Sequence, residues 1–197
     1  MDRLQAVAQI AALIAGHGRV AVDGIDAAGK TTLADELAER IGSRAIRASI
    51  DGFHQPQQSR MRYFEDSFDL AAVRRELLDP LGPGGSRRYR RRVFDHRLDA
   101  VLDEPLASAA PDAVLIVDGI FLQRPELDDC WDFRIFVEVS FEEALRRALA
   151  RDENATRERY EARYFPAQRR YLAEYRPRER ADVVLVNEDP ANPSLQA

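Results

Sequence analysis

The segment Gly24-Ile25-Asp26-Ala27-Ala28-Gly29-Lys30-Thr31 sets two glycines, a lysine and a hydroxyl at a spacing that suits the grip of a polyphosphate. Glycines let the backbone curl so that successive N–H groups converge, and a helix starting at that point adds partial positive charge. Lys30 would then meet the outer phosphates. The hydroxyl of Thr31, with Thr32 beside it, would face a Mg²⁺ ion that bridges phosphate oxygens. Of the 29 basic residues, 28 are arginine and one, Lys30, is lysine. The chain departs from arginine at the position where a compact ammonium must enter a tight loop.

Two further carboxylates stand where strands are expected to end. Asp118 follows the apolar run Ala113–Val117 and can hold Mg²⁺ directly or through water, or simply form the turn before Gly119. Asp51 follows a strand at Ala45–Ile50. It can take the proton of an attacking hydroxyl, or serve as a turn carboxylate before Gly52.

These groups need a scaffold. Leu4, Val7, Ile10, Ala11 and Ile14 give residues 3–15 one apolar helical face. Val20-Ala21-Val22 reads as a strand entering the glycine loop, and Leu33, Leu37 and Ile41 make Thr31–Ile41 a helix closed by Gly42. A helix over about 70–78 is expected to stop at Pro80 and the Gly82-Pro83-Gly84-Gly85 turn. Further strands fall at Phe133–Val139 and Val183–Val186, and helices at Phe141–Arg151 and Arg157–Tyr164, the latter broken or kinked by Pro166. Strands alternating with helices predict an α/β domain, 1–197, whose parallel sheet is covered on both faces, with a loosely held tail at 188–197.

Composition excludes several classes. Hydrophobic residues at 45% and charged residues at 32% describe a globular chain, not a fibrous or disordered one. The net charge of −5 opposes nucleic-acid binding through overall basicity. No apolar run approaches a membrane-spanning length, and Met1-Asp2-Arg3-Leu4 has no signal-peptide pattern, so a cytoplasmic location is expected. Cys130 is the single cysteine, which rules out an intramolecular disulfide and a thiolate zinc cluster.

The glycine loop, then Asp51-Gly52-Phe53-His54, Val117-Asp118-Gly119-Ile120, Arg146-Arg147 with Arg151-Asp152, and Ala181-Asp182-Val183-Val184 resemble, in order and spacing, the uridine kinase and phosphoribulokinase group of P-loop kinases. The resemblance runs from Val20 to Val186. It implies a P-loop NTPase-type sheet with a small arginine-rich lid, ATP and Mg²⁺ as cofactors, and transfer to the 5′-hydroxyl of a nucleoside such as uridine or cytidine. Another alcohol of the pantothenate or sugar-phosphate kind is the alternative acceptor. Gly24 through Thr32 would hold ATP, with Thr31 and Asp118 at the metal. Asp51 would be the base, with Phe53 and His54 beside the acceptor. Residues 147–159 would be the lid, with Arg147, Arg151 and Arg157 closing on the transferring group. Surface ion pairing is the competing account of those arginines.

Some residues depart from the group's pattern. Asp118 stands where its uridine kinases carry glutamate, and their ribose-binding aspartate is displaced here, leaving Glu65 or Asp66 to substitute. His96 can contact the acceptor or be an ordinary hairpin residue. The run Arg87–Arg92, with Tyr89, admits three readings: a solvated surface, a contact for a phosphorylated acceptor, or an RNA contact in a nucleotide-binding regulatory protein. A homo-oligomer stays open.

Overall fold

The structure is a computed structural model describing residues 1–196. Six strands form its central sheet: β1 (Arg19–Gly24), β2 (Ala45–Ser49), β3 (Val114–Gly119), β4 (Phe133–Glu138), β5 (Val183–Val186) and β6 (Ser194–Gln196). Their order is β6-β5-β4-β1-β3-β2, parallel throughout except for β6.

The two-residue period of the strands splits the core into two layers. Val20 and Val22 of β1, with Val114 and Ile116 of β3, face α1 (Arg3–Ile14) and α2 (Lys30–Ile41). Ala21, Leu115 and Val117 face the other way, onto Leu77, Leu78, Phe121 and Tyr171. Both faces are therefore covered, as the alternation of elements predicts. Among the described residues no helix is long and apolar enough to cross a membrane.

Two prolines behave differently from expectation. The helical run that begins at Leu70–Val73 does not stop at Pro80. It widens into a π-turn at Arg74–Leu78 and continues through Asp79–Leu81. Proline lacks an N–H and its ring crowds the carbonyl four residues back, so a wider turn before it relieves the clash. The carbonyl of Glu76, which Pro80 cannot serve, accepts the N–H of Arg90 at 2.8 Å. Pro166 repeats the device. After Arg157–Arg159 comes a π-turn at Tyr160–Tyr164 and then α4 (Phe165–Tyr175), a helix the sequence reading missed although Phe165, Gln168 and Tyr171 share its buried side. Helix α3 (Phe141–Arg151) precedes it, capped by Ser140, whose Oγ accepts the Glu143 N–H.

Two other expectations need correction. Leu4 is 81% exposed, because the buried stripe of α1 runs Ala6, Val7, Ile10, Ala11 and Ile14. The tail is not loose over its described length: β6 pairs antiparallel with β5, Leu195 packs on the core, and Ala191 accepts the Arg3 N–H. Ala197 lies outside the described residues.

Asp23, the residue before the end of β1, is fully buried. Its carboxylate accepts hydrogen bonds from the Gly24 N–H at 2.8 Å, from Gln123 Nε2 at 3.3 Å and from the Tyr171 hydroxyl of α4. Burial pushes its pKa up to about 6 from an ordinary 3.8, against those hydrogen bonds and the charge of Lys30. The folded state thus holds the proton more tightly than the unfolded chain. The resulting stabilisation is complete below the unfolded value and is lost as pH rises through about 6, a difference of about 3 kcal/mol. Asp23→Asn should remove that dependence. Melting curves across this range are expected to show the wild type losing stability relative to the variant as pH rises; parallel curves would show that folding leaves the Asp23 pKa unchanged.

Candidate functional site

The glycine loop leaves β1 at the carboxyl end of the sheet, where parallel α/β folds bind ligands. Gly24 has φ +151°, and a Cβ on it would lie 2.5 Å from the Val137 carbonyl oxygen, so only glycine fits. Gly29, the residue before α2, has φ +98°, and a Cβ there would meet Asn187 Nδ2 at 2.6 Å. Lys30 is 8% exposed and donates from Nζ to the Ile25 carbonyl at 2.6 Å, which folds the ammonium back over the loop. The Ala28 carbonyl accepts from Asn187 Nδ2 at 2.7 Å, tying the loop to the segment after β5.

β3 carries Asp118 to the same place by register, paired with Val22 of β1 and Ser49 of β2. Asp118 is buried and its Oδ2 accepts from Thr31 Oγ1 at 2.5 Å. Its Oδ1 lies 2.8 Å from Arg47 Nη1 but receives no aligned hydrogen bond from any described group. A buried carboxylate oxygen left without a hydrogen bond, beside a hydroxyl, is a hard-oxygen donor set that fits Mg²⁺.

Asp51 lines the same cleft as Lys30. It lies in a 3₁₀ turn, Ile50–Phe53, which turns Ile50 and Phe53 into the core and leaves the Asp51 side chain 57% exposed. Phe53 is fully buried in the apolar layer and does not face the cleft, which corrects its expected place beside the acceptor. His54 does face it. The Ser67 carbonyl, 2.9 Å from His54 Nδ1, can only accept, so Nδ1 donates and Nε2 is left 3.5 Å from Asp51 Oδ1. The ring stacks on Phe68 at 4.5 Å and lies 5.2 Å from the exposed His96. Partial enclosure would raise the Asp51 pKa. The hydrogen bond and charge of His54, with the charges of His96 and Lys30, outweigh that and hold it below the usual carboxylate range.

One cleft of about 160 Å³ is lined by Asp26, Lys30, Thr31, Thr32, Asp51, His54, Asp118 and Arg151, so most of the residues singled out by sequence converge. Ser49, Tyr63, Phe68 and Ile120 also line it. Ile120 belongs to the Val117–Ile120 motif but was given no role, and Ser49, Tyr63 and Phe68 were missed because no local motif marks them as site residues. A second cavity of about 310 Å³ on the other side of the loop is bounded by Gly29, Thr32, Arg147, Arg151, Asn187 and Pro190.

Several expected positions lie elsewhere. Glu65 pairs with Arg170 at 2.6 Å and Asp66 with Arg62 at 3.0 Å; neither lines the cleft, so neither substitutes for the displaced carboxylate. Arg147 belongs to α3 and is anchored, from Nε to Glu143 at 2.7 Å and from Nη2 to the Asn187 carbonyl at 2.6 Å. Arg157 is 67% exposed and pairs with Glu161 at 3.1 Å. Within the arginine run, Arg90 binds Glu76, Arg92 binds Glu104 and Arg87 donates to backbone carbonyls. Those three arginines are spent on the protein's own acceptors.

Comparison with known proteins agrees with this geometry. A family model described as AAA domain matches residues 20–166. Among solved structures, a protein described as a possible uridine kinase from Bacillus stearothermophilus superimposes with a TM-score of 0.72 at 20% identity, over 92% of this chain and 97% of that one. A protein designated, also provisionally, a fructose transport system kinase from Silicibacter sp. TM1040 gives a TM-score of 0.61 at 23% identity, over 92% and 95%. At such identities the likeness speaks for the fold. The family match spans most of the sequence and includes the glycine loop, and the chain therefore belongs to the AAA-domain family, in the mostly parallel, helix-flanked fold of the P-loop kinases.

Proposed function

We propose that the protein is an ATP- and Mg²⁺-dependent kinase that phosphorylates a hydroxyl of a small molecule, with the 5′-hydroxyl of a pyrimidine nucleoside as the first acceptor to test. The observation that carries this reading is that Asp51, Lys30 and Thr31 line one cleft. A nucleotide-binding module needs the cradle alone, whereas a transferase also needs a group that takes the acceptor's proton.

In this reading the loop amides and Lys30 hold the polyphosphate, and Thr31 and Asp118 hold the metal. Mg²⁺ bound there neutralises phosphate oxygens. Asp51 accepts the proton of the attacking hydroxyl, and His54 keeps it ionised and oriented. Arg151 is the arginine assigned to the transferring group, supported by its lining both cavities and having no ion-pair partner among the described residues. A non-nucleoside alcohol is a second reading, favoured by Glu65 and Asp66 being committed to arginines outside the cleft. The regulatory, RNA-associated reading loses support because Arg87, Arg90 and Arg92 are engaged within the protein.

ADP formation from Mg²⁺-ATP, measured against uridine, cytidine, purine nucleosides, pantothenate and simple sugars, tests the proposal. Asp51→Asn should abolish acceptor-stimulated turnover by about 100-fold or more while ATP still binds. Turnover unaffected by that substitution would remove Asp51 as the base. Since His54, His96 and Lys30 hold the Asp51 carboxylate low, the acid limb of the rate profile should fall below the ordinary carboxylate range and move when His54 is replaced. Arg151→Ala should cost about 100-fold in kcat and Arg157→Ala less than about threefold; equal losses would place Arg157 in the reaction as well.

A further inference from the structure

The phosphate loop carries a carboxylate of its own, Asp26, within the segment that has to surround an anion. A negative charge there works against phosphate binding unless something fixes where it points. The fixing group comes from α4. Gln168 is 1% exposed; its Oε1 accepts the Asp26 backbone N–H at 3.1 Å and its Nε2 donates to Asp26 Oδ2 at 2.8 Å. The Tyr63 hydroxyl donates to the same oxygen at 3.2 Å. One carboxamide therefore takes both the amide and the carboxylate of a single loop residue. The N–H of Asp26 is spent on Gln168, so the cradle must be built from later amides. The residue that follows, Ala27, sits at φ +56°, in the left-handed region where the chain changes direction.

We propose that Gln168 is a positioning residue of the phosphate site, whose carboxamide clamps Asp26 so that the loop's own negative charge stays fixed against Tyr63 on the cleft wall and does not swing toward the bound phosphates. The clamp reaches the loop from the helix that follows the arginine-bearing turn Arg157–Arg159, and one turn further along Tyr171 holds Asp23 at the root of the same loop. It rests on the reading of Gly24–Thr32 as a polyphosphate cradle, and it does not depend on which acceptor the protein uses.

A double-mutant cycle on Mg²⁺-ATP affinity, read by calorimetry on the full chain without acceptor, tests it. Gln168→Leu should weaken binding about tenfold, because the freed carboxylate then opposes the phosphates. Asp26→Asn should tighten binding about threefold. In the Asp26→Asn background, adding Gln168→Leu should cost less than about twofold, since no charge remains to be restrained. An equal loss from Gln168→Leu in both backgrounds would make Gln168 a merely structural residue and overturn the proposal, as would wild-type affinity in Gln168→Leu. Gln168→Glu gives a second route if the leucine variant does not fold. It sets a carboxylate against Asp26, so binding should be weakened at alkaline pH and recover on acidification, and a pH-independent affinity equal to that of the wild type would overturn the proposal. A wild-type protein that binds no nucleotide would instead overturn the cradle reading on which the clamp rests.

Discussion

The site depends on how closely two backbones approach at the end of the sheet. Gly24 runs against the Val137 carbonyl with no room for a Cβ, so β1 can leave the sheet at that level and turn at once into the loop that precedes α2. Were the approach looser, the loop would open away from the ends of β2 and β3, and Asp51 and Asp118 would face empty solvent. Strand register then does the rest. Val22, Asp118 and Ser49 lie side by side across three strands, which brings groups from distant parts of the sequence within reach of one another.

Around this point the protein spends its polar interactions on holding the loop from behind. Tyr171 and Gln123 secure Asp23, Gln168 secures Asp26, and Asn187 secures the Ala28 carbonyl. All seven side chains or carbonyls are buried or partly buried, where an unmade hydrogen bond is costly, so the loop's shape is determined before any ligand arrives. The groups facing the cleft are treated differently. Asp51 and Arg151 remain accessible, as groups that must meet a substrate have to be.

The sequence reading located what is local. The strand at Val20-Ala21-Val22, the span of Phe141–Arg151, and the carboxylates at strand ends follow from periodicity and punctuation within a few residues. It failed where a distant partner decides. Glu65 is claimed by Arg170, more than a hundred positions along the chain, and no nearby residue announces that pairing. Pro80 read as part of a stop and Pro166 as a break or kink because proline does not continue a regular α-helix, yet a π-turn before each lets the helix pass, and the carbonyl of Glu76 finds its donor in Arg90. Phe53, two residues from Asp51, looked like part of the same site, but the 3₁₀ turn sends these two side chains in different directions, one to the cleft and one to the core.

The folding of Lys30 back over its own loop has a practical side. The ammonium is 8% exposed and bound to the Ile25 carbonyl, and it is the only side-chain amine in the sequence. Acylating reagents aimed at lysine therefore have a single side-chain target in the whole protein. Their rate of reaction reports how often that loop lets go of its own cation, a built-in chemical reporter that needs no engineered label.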